Sequence, residues 1–261
     1  MTILCWNCQG LGHPGTVREL VCLVRKHRPS VVFISETRQC KESVMKIRGM
    51  LGLKHCITHD GFIKGVGIAL FWDDSVEINL LSYGSRYIDV HIRESPNSPL
   101  WRGTFVYGEP RAQERHHMWN LIRRIKPRSA EPWMMIGDFN ATMWQGEHFS
   151  ATKRSERHMS NLREVLGWCN LYDLGYRGPA WTFDNKQKGK ANVKARLDRG
   201  TMDGYVPAWS DTTYCDLEIR PLPLASHSGQ GPYVEQKEKF QIRDDVGKSK
   251  HVGDNCKEGV E

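Results

Sequence analysis

Polar residues of the kinds that handle phosphates stand at the ends of several apolar segments of this chain. Each lies at or just after the carboxyl end of a predicted strand, and they are Asn7, Glu36, Tyr107, Asp138 with Asn140, and His227. Glu36 offers hard carboxylate oxygens, which Mg²⁺ prefers as ligands. Asp138 supplies a carboxylate to position an attacking water, and His227 supplies an imidazole to contact the phosphate. The set therefore predicts phosphodiester cleavage assisted by a divalent cation.

Each of these residues also has a structural explanation when it is taken alone. A glutamate that follows a strand, such as Glu36, is often a solvated loop residue or a helix cap. Residues 138–140 form a pattern that is common in turns. A single histidine such as His227 is more often structural than catalytic. The functional interpretation therefore depends on the fold bringing these residues together.

Alternating strands and helices are predicted to place them along one edge. Residues 2–7 form a predicted strand, residues from 16 to just before Pro29 an amphipathic helix, and residues 31–34 a buried strand, which together make a crossover unit. Further strands are predicted at 67–72, 76–81, 87–93, 101–107 and 133–136, and further helices at 111–125 and 160–170. Open α/β sheets gather their ligand sites at the carboxyl ends of the strands.

The composition is typical of a folded globular protein with a basic surface. Of the 261 residues, 39% are hydrophobic, the formal net charge is +7 and the sequence pI is about 9.0. No apolar stretch approaches the roughly 20 residues that cross a bilayer. No secretory signal is recognised, so we expect an intracellular protein without a membrane partner. Only Cys5 and Cys8 form a Cys-x-x-Cys pair, so the cysteines are expected to be small buried residues and not zinc ligands.

The positive charge is concentrated in the first part of the chain. Residues 235–261 carry 6 Lys and Arg against 7 Asp and Glu, a net charge of −1, which leaves +8 (31 against 23) in residues 1–234. We therefore expect a folded domain at 1–234 and a mobile polar tail at 235–261. A basic domain favours a polyanionic partner such as DNA, although a solvated basic surface explains the charge equally well.

Five short motifs, in this order, resemble those of the endonuclease/exonuclease/phosphatase superfamily. They are CWNCQGLG at 5–12, SET at 35–37, VYGEP at 106–110, IGDFN at 136–140 and RLDR at 196–199. The motif sequences most resemble those of the endonuclease domain of plant non-LTR (LINE-type) retrotransposons, and the chain is also similar to apurinic/apyrimidinic endonucleases. Glu147 and the segments 163–166, 171–175 and 181–185 support that subfamily.

The resemblance implies both a fold and an activity. The fold is an α/β (α+β) four-layer sandwich, in which two packed mixed β-sheets are flanked by helices. The activity is that of a hydrolase, an Mg²⁺-dependent DNA endonuclease that nicks one strand, for which Mn²⁺ could substitute. The site positions that the resemblance carries over are the metal-site residues Asn7 and Glu36, the phosphate-contacting Tyr107, the water-orienting Asp138 and Asn140, and Asp198, which orients the catalytic His227.

The chain departs from the superfamily pattern near its last motif. Ser226 stands where the superfamily has an aspartate, and glycines with Gln230 follow His227 in place of an apolar strand. A hydroxyl is a poorer Mg²⁺ ligand than a carboxylate, and Gln9 occupies another position that is acidic in the apurinic/apyrimidinic endonucleases. The alternative function is therefore a catalytically weakened or dead remnant that keeps the fold and non-specific DNA binding. No reverse transcriptase region is seen, so retrotransposition by this chain alone is not expected.

A basic run beside the last matched motif is the candidate for contact with the DNA backbone. It comprises Lys186, Lys188, Lys190, Lys194, Arg196 and Arg199. Such side chains bind phosphates without reading sequence, and the alternative is a solvated loop. Trp181 and Phe183 could stack on a base or could be core residues of a strand. We expect a monomer whose partner is DNA, with a nuclear location inferred from that substrate; a small phosphoester substrate is a third alternative.

Overall fold

The computed structural model describes residues 1–60, 66–127, 131–176 and 178–203, together with the backbone of a strand at 216–219. The strands are β1 (Thr2–Asn7), β2 (Val31–Ser35), β3 (His55–His59), β4 (Ile68–Trp72), β5 (Glu77–Gly84), β6 (Tyr87–Arg93), β7 (Trp101–Tyr107), β8 (Trp133–Asp138), β9 (His148–Phe149), β10 (Leu171–Asp173), β11 (Phe183–Asp184), β12 (Lys194–Ala195), β13 (Asp198–Asp203) and β14 (Asp216–Ile219). The helices are α1 (Pro14–His27), α2 (Lys41–Leu51), α3 (Arg115–Ile125) and α4 (Glu156–Cys169).

Two mixed β-sheets form the centre of the molecule. The first has the strand order β14-β1-β2-β4-β3 and the second the order β10-β13-β8-β7-β6-β5. β1 runs parallel to β2 and β14, and β7 runs parallel to β8, whereas the other pairs within these two sheets are antiparallel. Three short strands form a separate third sheet with the order β11-β12-β9. The predicted architecture of two packed mixed sheets flanked by helices is confirmed.

The β1–α1–β2 crossover follows from the spacing of apolar residues. In α1, Leu20, Leu23 and Val24 recur on one face and are buried. Pro14 stands in the first turn, where a missing N–H costs nothing, and Arg28 ends the helix in the left-handed conformation. The chain then returns as β2 beside β1 and parallel to it. The helix therefore covers one face of the first sheet.

Strand alternation separates the layers and places the site. In β1, Ile3 and Cys5 belong to the cluster packed between the two sheets, whereas Leu4 belongs to the cluster beneath α1 and α2. In β8, Met134 and Ile136 face the same inter-sheet core. Because side chains alternate along a strand, the next inward positions are the terminal residues of these strands. Those residues are polar, and they end the core at one rim of the sandwich.

The outer helices complete four layers. Val44, Ile47 and Leu51 of α2 join the cluster on the first sheet, and α3 and α4 pack together on the second sheet through residues such as Trp119 and Leu162. Burial of side chains of this size contributes about 1.5–3 kcal/mol each. This packing stabilises the strands whose ends form the site.

Several elements differ from the sequence-based expectation. The helix α2 and the strand β3 were not predicted, although Val44, Ile47 and Leu51 have helical spacing, because charged residues separate them. β3 lies at a sheet edge and is only partly buried, which removes the alternation expected of a strand. α3 begins at Arg115, after a 3₁₀ turn, and α4 begins at Glu156.

The predicted tail at 235–261 and the residues Ser226 and His227 lie outside the described residues. Within the described ranges, no helix has the length and apolar character that spanning a bilayer would require. Only the backbone of β14 is described near the carboxyl end of the domain, where it pairs with β1 at the edge of the first sheet.

Candidate active site

The predicted site residues meet at one rim of the sandwich because their strands end there. Tyr107 and Asp138 are paired in register between the parallel strands β7 and β8. Asp198, the first residue of the antiparallel β13, lies opposite Asp138. Asn7 ends β1 in the facing sheet. The sheets thus bring together side chains that are far apart in sequence.

Hydrogen bonds join both sheets at this rim. The Asn7 Nδ2 amide donates to Glu36 Oε1 at 2.8 Å and to Asp138 Oδ2 at 3.1 Å. The Tyr107 hydroxyl donates to the same Glu36 Oε1 at 2.9 Å. One amide therefore bridges two carboxylates, one from each side of the sandwich. Asn7, Tyr107 and Asp138 are all buried, so the donors and acceptors are fixed in position.

The turn after β2 holds Glu36 in an uncommon conformation. Its φ is +55°, in the left-handed region that non-glycine residues rarely occupy. The Cys8 thiol donates to the carbonyl oxygens of Ser35 and Glu36 at 3.2 and 3.4 Å, and burial raises the pKa of this thiol to about 12. Arg38 donates to Glu36 Oε2 at 2.5 Å. Backbone strain of this kind persists only where the surroundings impose it, and it is common in active sites.

The backbone conformation of the segment 137–140 requires a glycine at position 137 and favours an asparagine at position 140. Gly137 has a φ of +140°, and a side chain there would meet the Val106 carbonyl oxygen at 2.1 Å. Asn140, with a φ of +52°, donates through its backbone N–H to Asp138 Oδ1 at 2.7 Å. Its side-chain Nδ2 donates to the Gly108 carbonyl at 2.9 Å. The turn therefore orients Asp138 and ties this loop to the end of β7.

The environment of the rim disfavours charged acids. Burial raises the pKa of Asp138 to about 6, and hydrogen bonds from Asn7 and the backbone of Asn140 act in the opposite direction. Burial, and then the charge of Asp138, raise the pKa of Asp198 well above its usual range. Burial and the neighbouring Glu36 also raise the pKa of the Tyr107 hydroxyl, which stays a proton donor. Two carboxyl groups that face each other in a buried site favour one of them remaining protonated.

The donor set of Asn7 and Glu36 fits a hard divalent cation. Both side chains carry oxygens that can serve as ligands, although Asn7 Oδ1 accepts the Gln9 N–H at 3.3 Å and Glu36 Oε2 accepts from Arg38, so the cation would replace these contacts. Mg²⁺ is commonly held by one or two carboxylates with water and substrate phosphate completing its shell. Among the described residues there is no cluster of three or more His, Cys, Asp or Glu side chains with the geometry of a metal site. The described part of the chain therefore has no metal site built from protein ligands alone. Asn7 and Glu36 suit an ion that keeps part of its water shell.

The structure brings together six of the residues predicted from the sequence. They are Asn7, Glu36, Tyr107, Asp138, Asn140 and Asp198. The predicted lysines are Lys186, Lys188, Lys190 and Lys194, and they lie on the hairpin that joins β11 to β12. The first three are exposed, and Lys194 is partly exposed with its Nζ 3.7 Å from Asp184. His227 lies outside the described residues.

The prediction that Arg199 contacts DNA is wrong. Its side chain is fully buried and points to the outer side of the second sheet, where it pairs with Glu147 at 2.9 Å and Asp173 at 2.5 Å. Arg196, also in the basic run, is buried and pairs with the same two acids. The physical reason is strand alternation, because Asp198 faces the rim and its neighbour must face the opposite way.

Several residues at the site were not predicted. Thr182 Oγ1 accepts the backbone N–H groups of Leu197 and Asp198 at 3.0 and 3.1 Å, which fixes the start of β13. The Arg86 guanidinium lies 5.3 Å from the centre of the Tyr107 ring and pairs with Glu109. The contact of Arg38 with Glu36 could have been predicted from the sequence, because the two residues are only two positions apart. Arg86 and Thr182 had no such signal, because only the fold brings them to the rim.

Known structures share this fold at low sequence identity. The AP endonuclease LMAP from Leishmania major aligns with a TM-score of 0.58 and 16% identity, over 78% of this chain and 78% of that one. The endonuclease domain of TRAS1, a telomere-specific non-LTR retrotransposon, gives 0.55 and 16%, over 77% and 86%. The 3' phosphatase NExo from Neisseria, bound to a product DNA hairpin, gives 0.55 and 16%, over 77% and 84%.

A search of curated protein sequences gave no significant match. The model of the Endonuclease/Exonuclease/phosphatase family matches residues 4–199, from β1 into β13. That span contains every described residue of the rim, from Asn7 to Asp198. With the motifs, the two-sheet fold and the polar rim in agreement, the chain belongs to the endonuclease/exonuclease/phosphatase family.

Proposed function

We propose that this protein is a divalent-metal-dependent DNA endonuclease that nicks one strand. The observation that carries the proposal is the bridge in which the Asn7 amide donates to both Glu36 and Asp138. In this arrangement a single side chain, that of Asn7, joins a candidate metal ligand to a candidate water-orienting acid. Hydrolysis of a phosphodiester needs both of these functions next to each other.

Asn7 and Glu36 are the residues that would hold the cation, Mg²⁺ or in its place Mn²⁺. When bound, the cation would supply positive charge beside the phosphate. Glu36 Oε1 already accepts from Asn7 and Tyr107, so its orientation is fixed before any ligand arrives. The Tyr107 hydroxyl, whose pKa is raised, keeps its proton and can donate to a phosphate oxygen.

Asp138 and Asn140 are proposed to orient the attacking water. The backbone of Asn140 holds Asp138 Oδ1, and Asn7 holds Oδ2. Held by these two donors, the Asp138 carboxyl is oriented to accept a hydrogen bond from water. Asp198 is proposed to orient His227, in agreement with the superfamily pattern.

DNA is the proposed substrate, for reasons of charge and likeness. Lys186, Lys188 and Lys190 project from the β11–β12 hairpin, and Thr182 links the start of that hairpin to Asp198. Such lysines would contact backbone phosphates. The motif resemblance to plant LINE-type endonucleases and the structural likeness to the TRAS1 endonuclease domain favour retrotransposon-type nicking. We further propose that the protein acts as a monomer and in the nucleus.

The test is conversion of supercoiled plasmid to open circle by the full chain with Mg²⁺ or with EDTA. We expect nicking only with Mg²⁺, and we expect Glu36→Gln to abolish it. Glu77→Gln is the matched control, because Glu77 is an exposed acid on the edge strand β5. Nicking in EDTA, or equal activity of both variants, would refute the proposal. Hydrolysis of small phosphoesters without nicking would favour the third alternative.

A second candidate function is a weakened or inactive remnant that retains DNA binding. The observation that favours it is Ser226, which stands where the superfamily has an aspartate. The Ser226→Asp variant separates the two functions. If the wild type nicks DNA only slowly and this variant nicks it much faster, the protein is a weakened remnant. If the wild type is already active with Mg²⁺, the protein is not an inactive remnant.

A further inference from the structure

Large exposed aromatic side chains follow the candidate active site in the sequence. Trp144 and Phe149 lie in the segment that follows Asn140, and they are 56% and 52% exposed. A single exposed apolar side chain is ordinary on a protein surface, whereas a group of them beside positive charge is typical of a binding site. Neither side chain takes part in the proposed hydrolytic chemistry.

Phe149 forms one surface with Trp181 and Lys194. The ring centres of Phe149 and Trp181 are 5.9 Å apart, and the Lys194 Nζ lies 5.4 Å from the centre of the Trp181 ring. Phe149 and Lys194 are paired in register between β9 and β12. Trp181 directly precedes Thr182, which holds the backbone of Asp198. The surface is therefore connected to the rim by a single residue.

Trp144 has a cation of its own. The Arg163 guanidinium carbon lies 4.3 Å from the centre of the Trp144 ring, and Arg163 is held there by the Met143 carbonyl at 2.5 Å and by an ion pair with Glu156. A ring that carries a cation over one face is held in position and keeps its other face for stacking on a base. The same arrangement occurs at Trp181, where the cation is Lys194 of β12, itself 3.7 Å from Asp184.

The charge around these rings identifies the occupant. Three exposed lysines, Lys186, Lys188 and Lys190, extend from the same hairpin as Lys194. Apolar surface surrounded by positive charge complements a strand that has aromatic bases and negative phosphates. A stacked base inside an intact duplex does not present its face, so the surface suits a nucleotide that is unpaired.

We propose that Trp144, and the pair formed by Phe149 and Trp181, stack on unpaired nucleotides of a DNA strand. The lysines of the β11–β12 hairpin contact the phosphates of that strand. The inference rests on the proposed function, because it identifies locally unpaired DNA as the substrate class of the same site. It goes further in assigning a binding role to residues outside the hydrolytic site.

The test compares strands that have bases with strands that lack them. Binding of the full chain to a labelled oligothymidine and to an abasic strand of equal length is measured by fluorescence anisotropy in EDTA. We expect Phe149→Ala and Trp144→Ala each to weaken oligothymidine binding between about fivefold and about a hundredfold. Binding of the abasic strand, which depends on phosphates alone, stays unchanged. Phe149→Trp is expected to retain the affinity.

Trp168→Ala is the matched control. Trp168 is 55% exposed and has Lys126 Nζ 4.8 Å from its ring, but it lies at the carboxyl end of α4, and its cation follows α3. We expect this variant to bind both strands like the wild type. Equal affinity of the wild type for both strands, or equal losses in Trp144→Ala and Trp168→Ala, would overturn the proposal. EDTA prevents metal-dependent cleavage, so a failure to nick DNA is detected separately from a failure to stack bases.

Discussion

Replacing Arg199 by methionine tests whether this residue stabilises the fold or binds DNA. The guanidinium is fully buried and donates to Glu147 Oε2 at 2.9 Å and to Asp173 Oδ2 at 2.5 Å. Methionine has a similar length and no charge. The substitution therefore leaves both acids beside an apolar side chain, with Arg196 as the cation that remains paired to them.

The expected loss of stability is about 3 kcal/mol. Breaking a buried ion pair from one side costs about 3–5 kcal/mol. The side chains of Glu147 and Asp173 are 12% and 18% exposed, and Arg196 keeps one contact with each, so the lower end of that range applies. With a urea dependence of about 2 kcal/mol per molar, the unfolding midpoint should fall by about 1.5 M.

Urea unfolding followed by circular dichroism gives the midpoint, and DNA binding at several salt concentrations gives the number of phosphate contacts. Lys190→Met is the control, because Lys190 is exposed on the β11–β12 hairpin. It should keep the wild-type midpoint and lower the salt-dependence slope by about 0.9. Arg199→Met should show the reverse pattern. An unchanged midpoint with a smaller salt slope in Arg199→Met would refute the structural role.

Three further predictions follow from the rim. Asn140→Ala loses the bond to the Gly108 carbonyl and places alanine at a φ of +52°, so nicking should fall about 10²–10³-fold; activity within threefold of wild type would contradict this. Gly108→Ala would put a Cβ 2.1 Å from the Phe139 carbonyl oxygen, so its melting temperature should drop sharply while Gly146→Ala, which meets nothing within 4 Å, melts normally. Because the pKa of Asp198 is raised in the fold, ionisation of this acid at rising pH destabilises the metal-free protein. Asp198→Asn should therefore be more stable than the wild type, and the difference in unfolding free energy should be larger at pH 8 than at pH 5. A difference that does not depend on pH would argue against this.

Much of the rim was predictable because local sequence encodes it. The polar residues that end β1 and β8 follow apolar strands, and the turn at 137–140 needs both its glycine and its asparagine for backbone reasons. Periodicity in the sequence therefore locates Asn7 and Asp138 at the ends of their strands. The crossover through α1 was predicted for the same reason.

Long-range pairing was not predictable from the sequence. Arg199 lies in a basic run, and nothing local distinguishes it from the exposed lysines of the hairpin. Its partners Glu147 and Asp173 are 52 and 26 residues away, and only the packing of β13 against the second sheet brings them together. The contact between Phe149 and Trp181 was hidden for the same reason, since β9 is two residues long.

The most direct test of the account is a comparison of nicking rates for Asn7→Ala, Asp138→Asn and the double variant with Mg²⁺. If the hydrogen-bonded residues act as one site, each single variant should lose at least about a hundredfold in rate, and the double variant should lose little more than the worse single one. Circular dichroism confirms that each variant is folded. Nicking by folded Asp138→Asn at a rate within tenfold of wild type would contradict the assignment of this rim as the active site.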